Sequence, residues 1–405
     1  MRSDSQQAPL ASIRIGIDAS NLRAGGGITY LKGILGSLPS APSRLESVTL
    51  WGGRSTLDQL PDVPRLTKVP LPHLDGELFR FDWKFLTRTA WQWTELPRLL
   101  ARANCHILLQ PGGTLTRSGR GIPAVTISRN MLPFSPREMR QYGFSLDLLR
   151  LLLLRAWQLS SFTRADGVIF LTPYAREIIE PLLPPSTSRK VRVIPHGVGE
   201  GFHPAAFTSK SASPDRRAFR WVYVSTVDAY KHHREVVEAM AILNRMGYSA
   251  TVDFWGHHRD RELTDLLALM QRLDPGGTRI QWRGATPYSD LPELLRSYDG
   301  FIFASSCENL PHTLLEAMAS GLPIVCSSAE PMPQILGDGG IYFHPERPHE
   351  VARAMASLQS DPELRKITVR EALERSGSYT WARSAAATWE FLLEVATPTS
   401  PDSRQ

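Results

Sequence analysis

Short apolar runs alternate with longer amphipathic stretches along most of the chain. Apolar runs bounded by turn residues are typical of buried strands, whereas apolar positions recurring every three or four residues are typical of helices. In the first half this pattern predicts strands IRIGID (13 to 18), SVTLWG (47 to 52), HILLQ (106 to 110), AVTISR (124 to 129), GVIFLT (167 to 172) and VRVIP (191 to 195). It predicts helices between them, at 78 to 103, 144 to 164 and 173 to 183.

The same alternation restarts after a polar stretch, FTSKSASPDRRAF, at 207 to 219. Here the predicted strands are RWVYVST (220 to 226), ATVDFWG (250 to 256), IQWRG (280 to 284), GFIFASS (300 to 306) and LPIVCSS (322 to 328). Helices are predicted at 233 to 247, 260 to 273 and 381 to 396, with others between the later strands. Short apolar strands alternating with helices indicate parallel sheets that are covered on both faces.

A chain of 405 residues is longer than one hydrophobic core usually supports, so two domains are expected. The predicted fold class is α/β, with two doubly wound, Rossmann-like domains facing a central cleft that would bind a ligand. The predicted segments are a loose tail (1 to 12), an N-terminal domain (13 to 200), a linker (201 to 219), a C-terminal domain (220 to 380), a closing helix packing back toward the N-terminal domain (381 to 396) and a second tail (397 to 405).

Composition places the chain among ordinary globular proteins, with 42% hydrophobic and 21% charged residues. Three scattered cysteines without CxxC spacing predict inert thiols in a reducing compartment, with neither a zinc site nor a disulfide framework. The longest apolar run, LLRLLLLRAW (148 to 157), is interrupted by Arg150 and Arg155 and falls short of the roughly 20 residues that span a bilayer. The N-terminus lacks an apolar signal core, so a cytosolic protein is expected.

Charge is distributed unevenly along the chain. Residues 1 to 200 carry 25 Lys and Arg against 15 Asp and Glu, whereas residues 201 to 405 carry 21 against 25. Of the 25 N-terminal cations 21 are arginine, which pairs well with phosphate and carboxylate oxygens. The first half therefore suits an anionic surface or substrate, the alternative being a solvated basic face without a partner. Nucleic acid is not expected, because no Lys/Arg block, zinc-finger spacing or aromatic RNA-binding pattern occurs.

The stretch SSCENLPHTLLEAMASG (305 to 321) carries the most specific chemistry. It is predicted to place Pro311 in the first turn of a helix whose core stripe excludes Glu316, while Glu308 lies in the loop after the strand. Both carboxylates then lie at the carboxyl end of a parallel strand, beside the free N–H groups of a helix start. Such N–H groups bind phosphate and such carboxylates bind sugar hydroxyls, although two carboxylates can also simply solvate a helix end.

The segment CENLPHTLLEAMASGLPIVCSS resembles the donor-site signature of family 4 glycosyltransferases, which have the GT-B fold: two glutamates separated by seven residues, ahead of AMA-G-P-V. The resemblance extends over nearly the whole chain, through the glycine-rich turn after the first strand, VIPHGV at 193 to 198 and the closing tryptophan-containing helix. It implies a retaining, metal-independent transferase that uses a nucleoside-diphosphate sugar as substrate and needs no cofactor.

The resemblance also implies roles for individual residues. Glu316 would hydrogen-bond the ribose of the nucleotide, and Glu308 would face the hydroxyls of the donor sugar. Lys231 would neutralise the diphosphate leaving group, as a fixed cation beside developing negative charge should; the alternative is an exposed loop lysine. The other residues implied on the donor side are Asn309, Leu310, Pro311, Thr226 and Gly256.

Two departures from the family pattern concern the cation beside the lysine and the His-Asp pair after the fourth strand. Thr226 stands where the family usually has an arginine, and His232, His233 or Arg234 would have to supply the missing cation if diphosphate binding is not simply weaker. Arg129 and Asn130 replace the His-Asp pair. Arginine cannot shuttle a proton, so these two residues are expected only as cleft residues on the acceptor side.

The remaining residues expected on the acceptor side are Gly25, Gly26, Gly27 and His196. The three glycines let backbone approach a ligand closely ahead of a helix start, unless they form only a tight turn. For His196 a structural role is the stronger interpretation. In the predicted amphipathic segment 79 to 102, Trp83, Phe85, Trp91 and Trp93 beside cations suit seating at the interface of an anionic membrane, the alternative being core packing.

The functional prediction is transfer of a sugar to a saccharide or lipid-linked saccharide at the cytoplasmic face of the inner membrane, in bacterial surface polysaccharide (O-antigen, exopolysaccharide or capsule) biosynthesis. Two alternatives stay open: a sugar-nucleotide 2-epimerase on the same fold, and a non-catalytic relative that binds sugar nucleotide or glycan. The sequence does not identify the sugar, the base, the acceptor or the linkage, which depend on loops around 256 to 260 and 283 to 290.

Overall fold

The computed structural model describes residues 12–22, 25–71, 83–116, 121–204 and 218–397. The predicted tails and most of the predicted linker therefore lie outside the described residues. Contacts divide the chain into two compact units. Unit 1 comprises Met1–Asn130, Leu152–Gly197 and Trp381–Gln405, and unit 2 comprises Met131–Leu151 and Val198–Thr380.

Each unit contains one sheet of parallel strands. The seven strands of unit 1 are β1 (Ile13–Asp18), β2 (Leu45–Gly52), β3 (Leu66–Pro70), β4 (Ile107–Gln110), β5 (Ala124–Ser128), β6 (Gly167–Phe170) and β7 (Lys190–Val193), in the order β3-β2-β1-β4-β5-β6-β7. The six strands of unit 2 are β8 (Phe219–Val224), β9 (Ala250–Trp255), β10 (Ile280–Gly284), β11 (Gly300–Phe303), β12 (Ile324–Ser327) and β13 (Ile341–Phe343), in the order β10-β9-β8-β11-β12-β13. All recorded pairings are parallel.

Helices connect these strands. In chain order the described α-helices are α1 (Gly26–Gly36), α2 (Arg54–Leu57), α3 (Trp83–Thr94), α4 (Leu96–Arg102), α5 (Pro136–Arg140), α6 (Leu146–Arg164), α7 (Pro173–Ile179), α8 (His233–Arg245), α9 (Asp260–Leu273), α10 (Leu291–Arg296), α11 (His312–Ala319), α12 (Met332–Leu336), α13 (Pro348–Ser360), α14 (Pro362–Ser376) and α15 (Trp381–Ala396). Within the described ranges, no helix has both the length and the apolar character that a membrane span requires.

Both sheets are doubly wound, and their central strands are fully buried. Every residue of β4, β5, β6, β11 and β12 is buried, because helices cover both faces and exclude water from the apolar side chains. In each unit the strand order reverses beside the first strand, between β1 and β4 in unit 1 and between β8 and β11 in unit 2. The prediction of two doubly wound α/β domains is confirmed.

The structure differs from the predicted elements in several places, and the short helices α2 and α5 were not predicted. β3 and β13 were not predicted, the helix predicted at 78 to 103 is divided at Glu95 into α3 and α4, and Phe219 belongs to β8 instead of the linker. Residues 78 to 82 of that predicted helix lie outside the described residues.

The predicted division at residue 200 also differs from the observed one. Residues 131 to 151, expected in the N-terminal domain, group with unit 2. The physical reason is a set of polar contacts: Tyr142 donates a hydrogen bond to Asp228 (2.8 Å), and Asp147 pairs with Arg259 (2.9 Å). Helix α15 groups with unit 1, where Trp389 and Leu392 are fully buried.

Candidate active site

The loops that follow β8 and β11 lie side by side where the strand order of unit 2 reverses. Gly300 pairs with Trp221 in the register, so the two strands are direct neighbours in the sheet. Beyond the strands the backbone N–H of Ser306 donates to the carbonyl of Tyr230 (2.9 Å), and the Ser306 hydroxyl lies 2.9 Å from His232 Nε2. Ligands of doubly wound sheets bind at this position, outside the carboxyl ends of the strands.

Lys231 and Glu308 form an ion pair across these two loops. Their side chains are 13% and 14% exposed, so the pair is largely shielded from water. The backbone of Lys231 is fixed as well: the Asp228 side chain caps its 3₁₀ turn, and the Tyr223 hydroxyl donates to the Lys231 carbonyl (2.8 Å). The structure thus brings these two predicted residues together.

Burial acts to lower the pKa of Lys231, but the charge of Glu308 outweighs it and holds that pKa above its ordinary value. Lys231 is therefore a permanent cation at neutral pH. An ammonium has three N–H donors, so Lys231 can keep its contact with Glu308 while donating to a second anion.

Glu316 lies on α11 and is 1% exposed. Its Oε1 accepts a hydrogen bond from the Tyr288 hydroxyl (2.9 Å), whereas its Oε2 has no hydrogen-bond partner among the described residues. Burial raises the pKa of Glu316 to about 7, partly offset by the Tyr288 hydrogen bond. Glu316 is buried although it lies outside the core stripe of Leu314, Leu315 and Met318, because α11 is covered around most of its circumference.

Tyr288 was not singled out from the sequence. It begins a short 3₁₀ turn after β10, and its ring packs against Phe202 with centroids 5.8 Å apart. Its hydroxyl orients the Glu316 carboxylate and leaves the second oxygen available to a ligand. The available signal was its position, an aromatic residue directly after Pro287 within the loop at 283 to 290.

The other predicted donor-side residues lie around the same strand ends. Asn309 and Leu310 are buried, and Pro311 is the N-cap residue, so α11 begins one residue later than predicted. Thr226 is exposed. Gly256 has a φ of 145°, and a Cβ there would collide with the backbone of Ser225. This close backbone packing explains why the position is a glycine.

His233 does not supply the cation that Thr226 lacks. Its ring is buried and stacks on Tyr223 with centroids 4.7 Å apart. Burial, followed by the charges of Lys231 and His232, lowers the pKa of His233 to about 3, so the ring is neutral at physiological pH. Of the residues proposed as replacements, His233 is therefore excluded.

In unit 1 the structure brings Arg129 to the glycine-rich turn. A Cβ on Gly27 would lie 3.5 Å from Arg129 Nη1, and Gly25 caps α1 with a φ of 67°. The Arg129 guanidinium stands 5.5 Å from the ring centroid of Tyr30. Burial lowers the pKa of Arg129 to about 10, opposed by Tyr30, so the group stays charged at neutral pH.

Nη1 of Arg129 is buried and has no hydrogen-bond partner within the described part of the chain. Asn130 is exposed, whereas His196 is 1% exposed and stacks on Trp381 with centroids 5.9 Å apart. Its stacking favours the structural interpretation of this histidine. Arg129 therefore has an N–H donor available to an anion.

The aromatic residues of 79 to 102 do not all face solvent. Trp91 is 7% exposed and belongs to the core of unit 1, which supports the alternative of core packing for this residue. Trp93 is 48% exposed. The side chains of Trp83 and Phe85 lie outside the described residues.

Residues 208–375, most of unit 2, match the family model described as glycosyl transferases group 1. The O-antigen chain mannosyltransferase B of Escherichia coli is 29% identical over 174 residues, covering 41% of this chain and 44% of that protein. The chain thus spans less than half of the length of this curated relative.

Two solved structures are similar over almost their whole length. Sucrose-phosphate synthase from Thermosynechococcus elongatus superposes with a TM-score of 0.72 at 14% identity, covering 95% of this chain and 99% of that one. Anabaena HepE in complex with UDP and glucose gives a TM-score of 0.67 at 15% identity, covering 94% and 99%. At this identity the likeness shows the fold alone, which is GT-B.

Proposed function

Since the chain has the GT-B fold and its residues 208–375 match the model of the glycosyl transferases group 1 family, we propose that it is a retaining glycosyltransferase that uses a nucleoside-diphosphate sugar as donor. The acceptor is a saccharide or a lipid-linked saccharide. In this proposal Lys231 neutralises the charge that develops on the leaving group, so the proposed reaction uses no metal or other cofactor.

One observation carries the proposal: the unpartnered, buried Oε2 of Glu316. A buried carboxylate oxygen without a hydrogen bond costs roughly 1–3 kcal/mol, so a protein that keeps one generally supplies the partner with a ligand. Sugar hydroxyls are neutral donors suited to that oxygen. The Lys231 ammonium, at the adjoining loop, suits the diphosphate of the same molecule.

The chemistry follows from these positions. The bond between the anomeric carbon and the diphosphate oxygen breaks, and Lys231 stabilises the negative charge that develops on the leaving diphosphate. The acceptor hydroxyl forms the new bond on the same face, through an oxocarbenium-like state, and its proton passes to an oxygen of the departing phosphate. No second carboxylate acts as nucleophile, unlike the mechanism of a retaining hydrolase.

The biological assignment we propose is bacterial surface polysaccharide synthesis. Its support is the similarity to an O-antigen mannosyltransferase and the high arginine content of unit 1, which suits an anionic acceptor such as a lipid-linked diphosphate sugar. Arg129, with its available N–H, is the residue of unit 1 that we assign to that anion.

The test is donor binding by wild type and Glu316→Ala. Thermal-shift screening against UDP-, GDP- and ADP-sugars should identify one stabilising class, because a ligand that binds the folded state raises its stability. Calorimetry with that donor should show Glu316→Ala binding about 30-fold more weakly, since about 2 kcal/mol of hydrogen bonding is lost. Glu363→Ala, which alters an exposed carboxylate on α14, is the matched control.

Wild-type donor affinity in Glu316→Ala would contradict the assignment of this residue. Product analysis separates the reaction classes: transfer to an acceptor supports the proposal, whereas an epimerised sugar formed from donor alone, or binding without any turnover, contradicts it.

A further inference from the structure

The loop before α6 and the first turns of that helix expose several large apolar side chains. Phe144 is fully exposed, and Leu146, Leu149 and Leu153 are 85%, 53% and 63% exposed. The three leucines are spaced by three and four residues, so they share one face of α6. Large apolar side chains left together in water indicate a surface that has a partner.

The segment 136 to 156, which carries this face, contains four arginines against two acidic residues. Arg140 and Arg150 are exposed beside the apolar residues. The segment 136 to 156 contains two acidic residues, and neither is free on this face: Glu138 is 2% exposed, and Asp147 is paired with Arg259. An exposed face of leucine, phenylalanine and arginine without a free carboxylate matches the surface of an anionic bilayer.

We propose that this face (Phe144, Leu146, Leu149 and Leu153 with Arg140 and Arg150) seats the protein on anionic lipid. Each leucine that enters the acyl region is removed from water, and each arginine is attracted to the anionic headgroups, so both kinds of residue favour binding. These gains suffice for reversible binding by an element that does not span the membrane. A protein bound in this way meets acceptors that are themselves lipid-linked, which deepens the proposed function.

The experiment is co-sedimentation of the full chain with vesicles of phosphatidylcholine alone or mixed equally with phosphatidylglycerol. Wild type should bind the mixed vesicles and should not bind the neutral ones. Leu149→Ser/Leu153→Ser should bind the mixed vesicles at least about tenfold more weakly than wild type, because two inserted side chains are lost. Leu267→Ser/Ile367→Ser, which changes exposed apolar residues on α9 and α14, should bind like wild type.

Arg140→Gln/Arg150→Gln tests the electrostatic part. This variant should lose most of the preference for phosphatidylglycerol and most of the salt dependence, since screened attraction between arginine and lipid headgroups is removed. Circular dichroism and donor calorimetry in lipid-free buffer should be unchanged for all three double variants. If wild type does not bind the donor, the proposed function is contradicted. Vesicle binding is measured without donor, so its result does not depend on that outcome.

Three results would overturn the inference: no vesicle binding by wild type, equal binding by Leu149→Ser/Leu153→Ser and wild type, or a wild-type dimer by analytical ultracentrifugation that this variant abolishes. The last result would show that a second copy of the chain, and not lipid, covers the face.

Discussion

Burial of Glu316 determines the pKa of its side chain and, through it, how folding stability depends on pH. Exclusion of water raises the pKa of this carboxyl group to about 7, whereas in the unfolded chain its pKa has the ordinary value of about 4.5. Between these two values the folded state binds more protons than the unfolded state. Folding stability contributed by this group is therefore full below about pH 4.5 and falls as pH rises toward 7.

Glu316→Gln should remove that dependence. We expect the variant to be more stable than wild type by up to about 3 kcal/mol above pH 7, and the difference to shrink to near zero by about pH 4.5. Thermal unfolding of both proteins across this range, without donor, measures it. A constant difference at all pH values would show that Glu316 does not titrate as its burial requires.

The contributions of the Lys231–Glu308 pair to folding stability and to turnover should be separable by mutation. Lys231→Gln leaves Glu308 largely buried without its partner and should cost about 3 kcal/mol of folding stability. Lys231→Gln/Glu308→Gln should recover most of that loss because no charge stays uncompensated. Turnover should stay reduced by on the order of 10²- to 10³-fold in both, since the leaving diphosphate has lost its cation.

Chemical denaturation and steady-state transfer assays give the two quantities. Lys366→Gln, which breaks an exposed pair with Glu363, serves as the control and should change neither. Wild-type turnover in the double variant would remove Lys231 from the mechanism.

At the scale of elements, the packing of α1 on α15 predicts that alanine substitutions at two glycines of α1 change folding stability in opposite directions. A Cβ at Gly33 would fall on the indole ring of Trp381, whereas a Cβ at Gly36 meets no atom within 4 Å. Gly33→Ala should therefore destabilise the protein by about 2 kcal/mol, and Gly36→Ala should stabilise it by about 0.5 kcal/mol. Thermal unfolding compares the two, and equal effects would contradict this packing.

Apolar periodicity was sufficient to predict most strands and the doubly wound arrangement, because central parallel strands are continuous apolar runs. It failed for β3, where LTKVP alternates on a partly exposed edge, and for β13, a three-residue strand after two glycines. A strand so short or so polar does not differ from a loop in its composition alone.

The candidate site was predictable only as far as local spacing reaches. Glu308 and Glu316 lie in one motif at the carboxyl end of a predicted strand, whereas Lys231 was named only because the resemblance to the family implied it. The burial of Glu316 and its contact with Tyr288, 28 residues away, depend on how the loop after β10 folds over α11. Periodicity within one helix does not contain that information.

At the scale of the whole molecule, the uneven charge distribution follows the observed division into two units. Counted by the observed division, unit 1 carries 24 Lys and Arg against 15 Asp and Glu, and unit 2 carries 22 against 25. The basic excess therefore survives the reassignment of residues 131 to 151. It is a property of the residues that build the first sheet, which strengthens the assignment of an anionic acceptor to that unit.

The position of α15 in the sequence has a consequence for synthesis on the ribosome. Domains usually fold in the order in which they emerge, the N-terminal one first. Here the strands β8 to β13 and their helices leave the exit tunnel before Trp389 and its neighbours, which fill the interior of unit 1. The later-encoded half can thus complete its hydrophobic interior while the earlier-encoded half still lacks its last helix, which makes the nascent first half a natural client for chaperones.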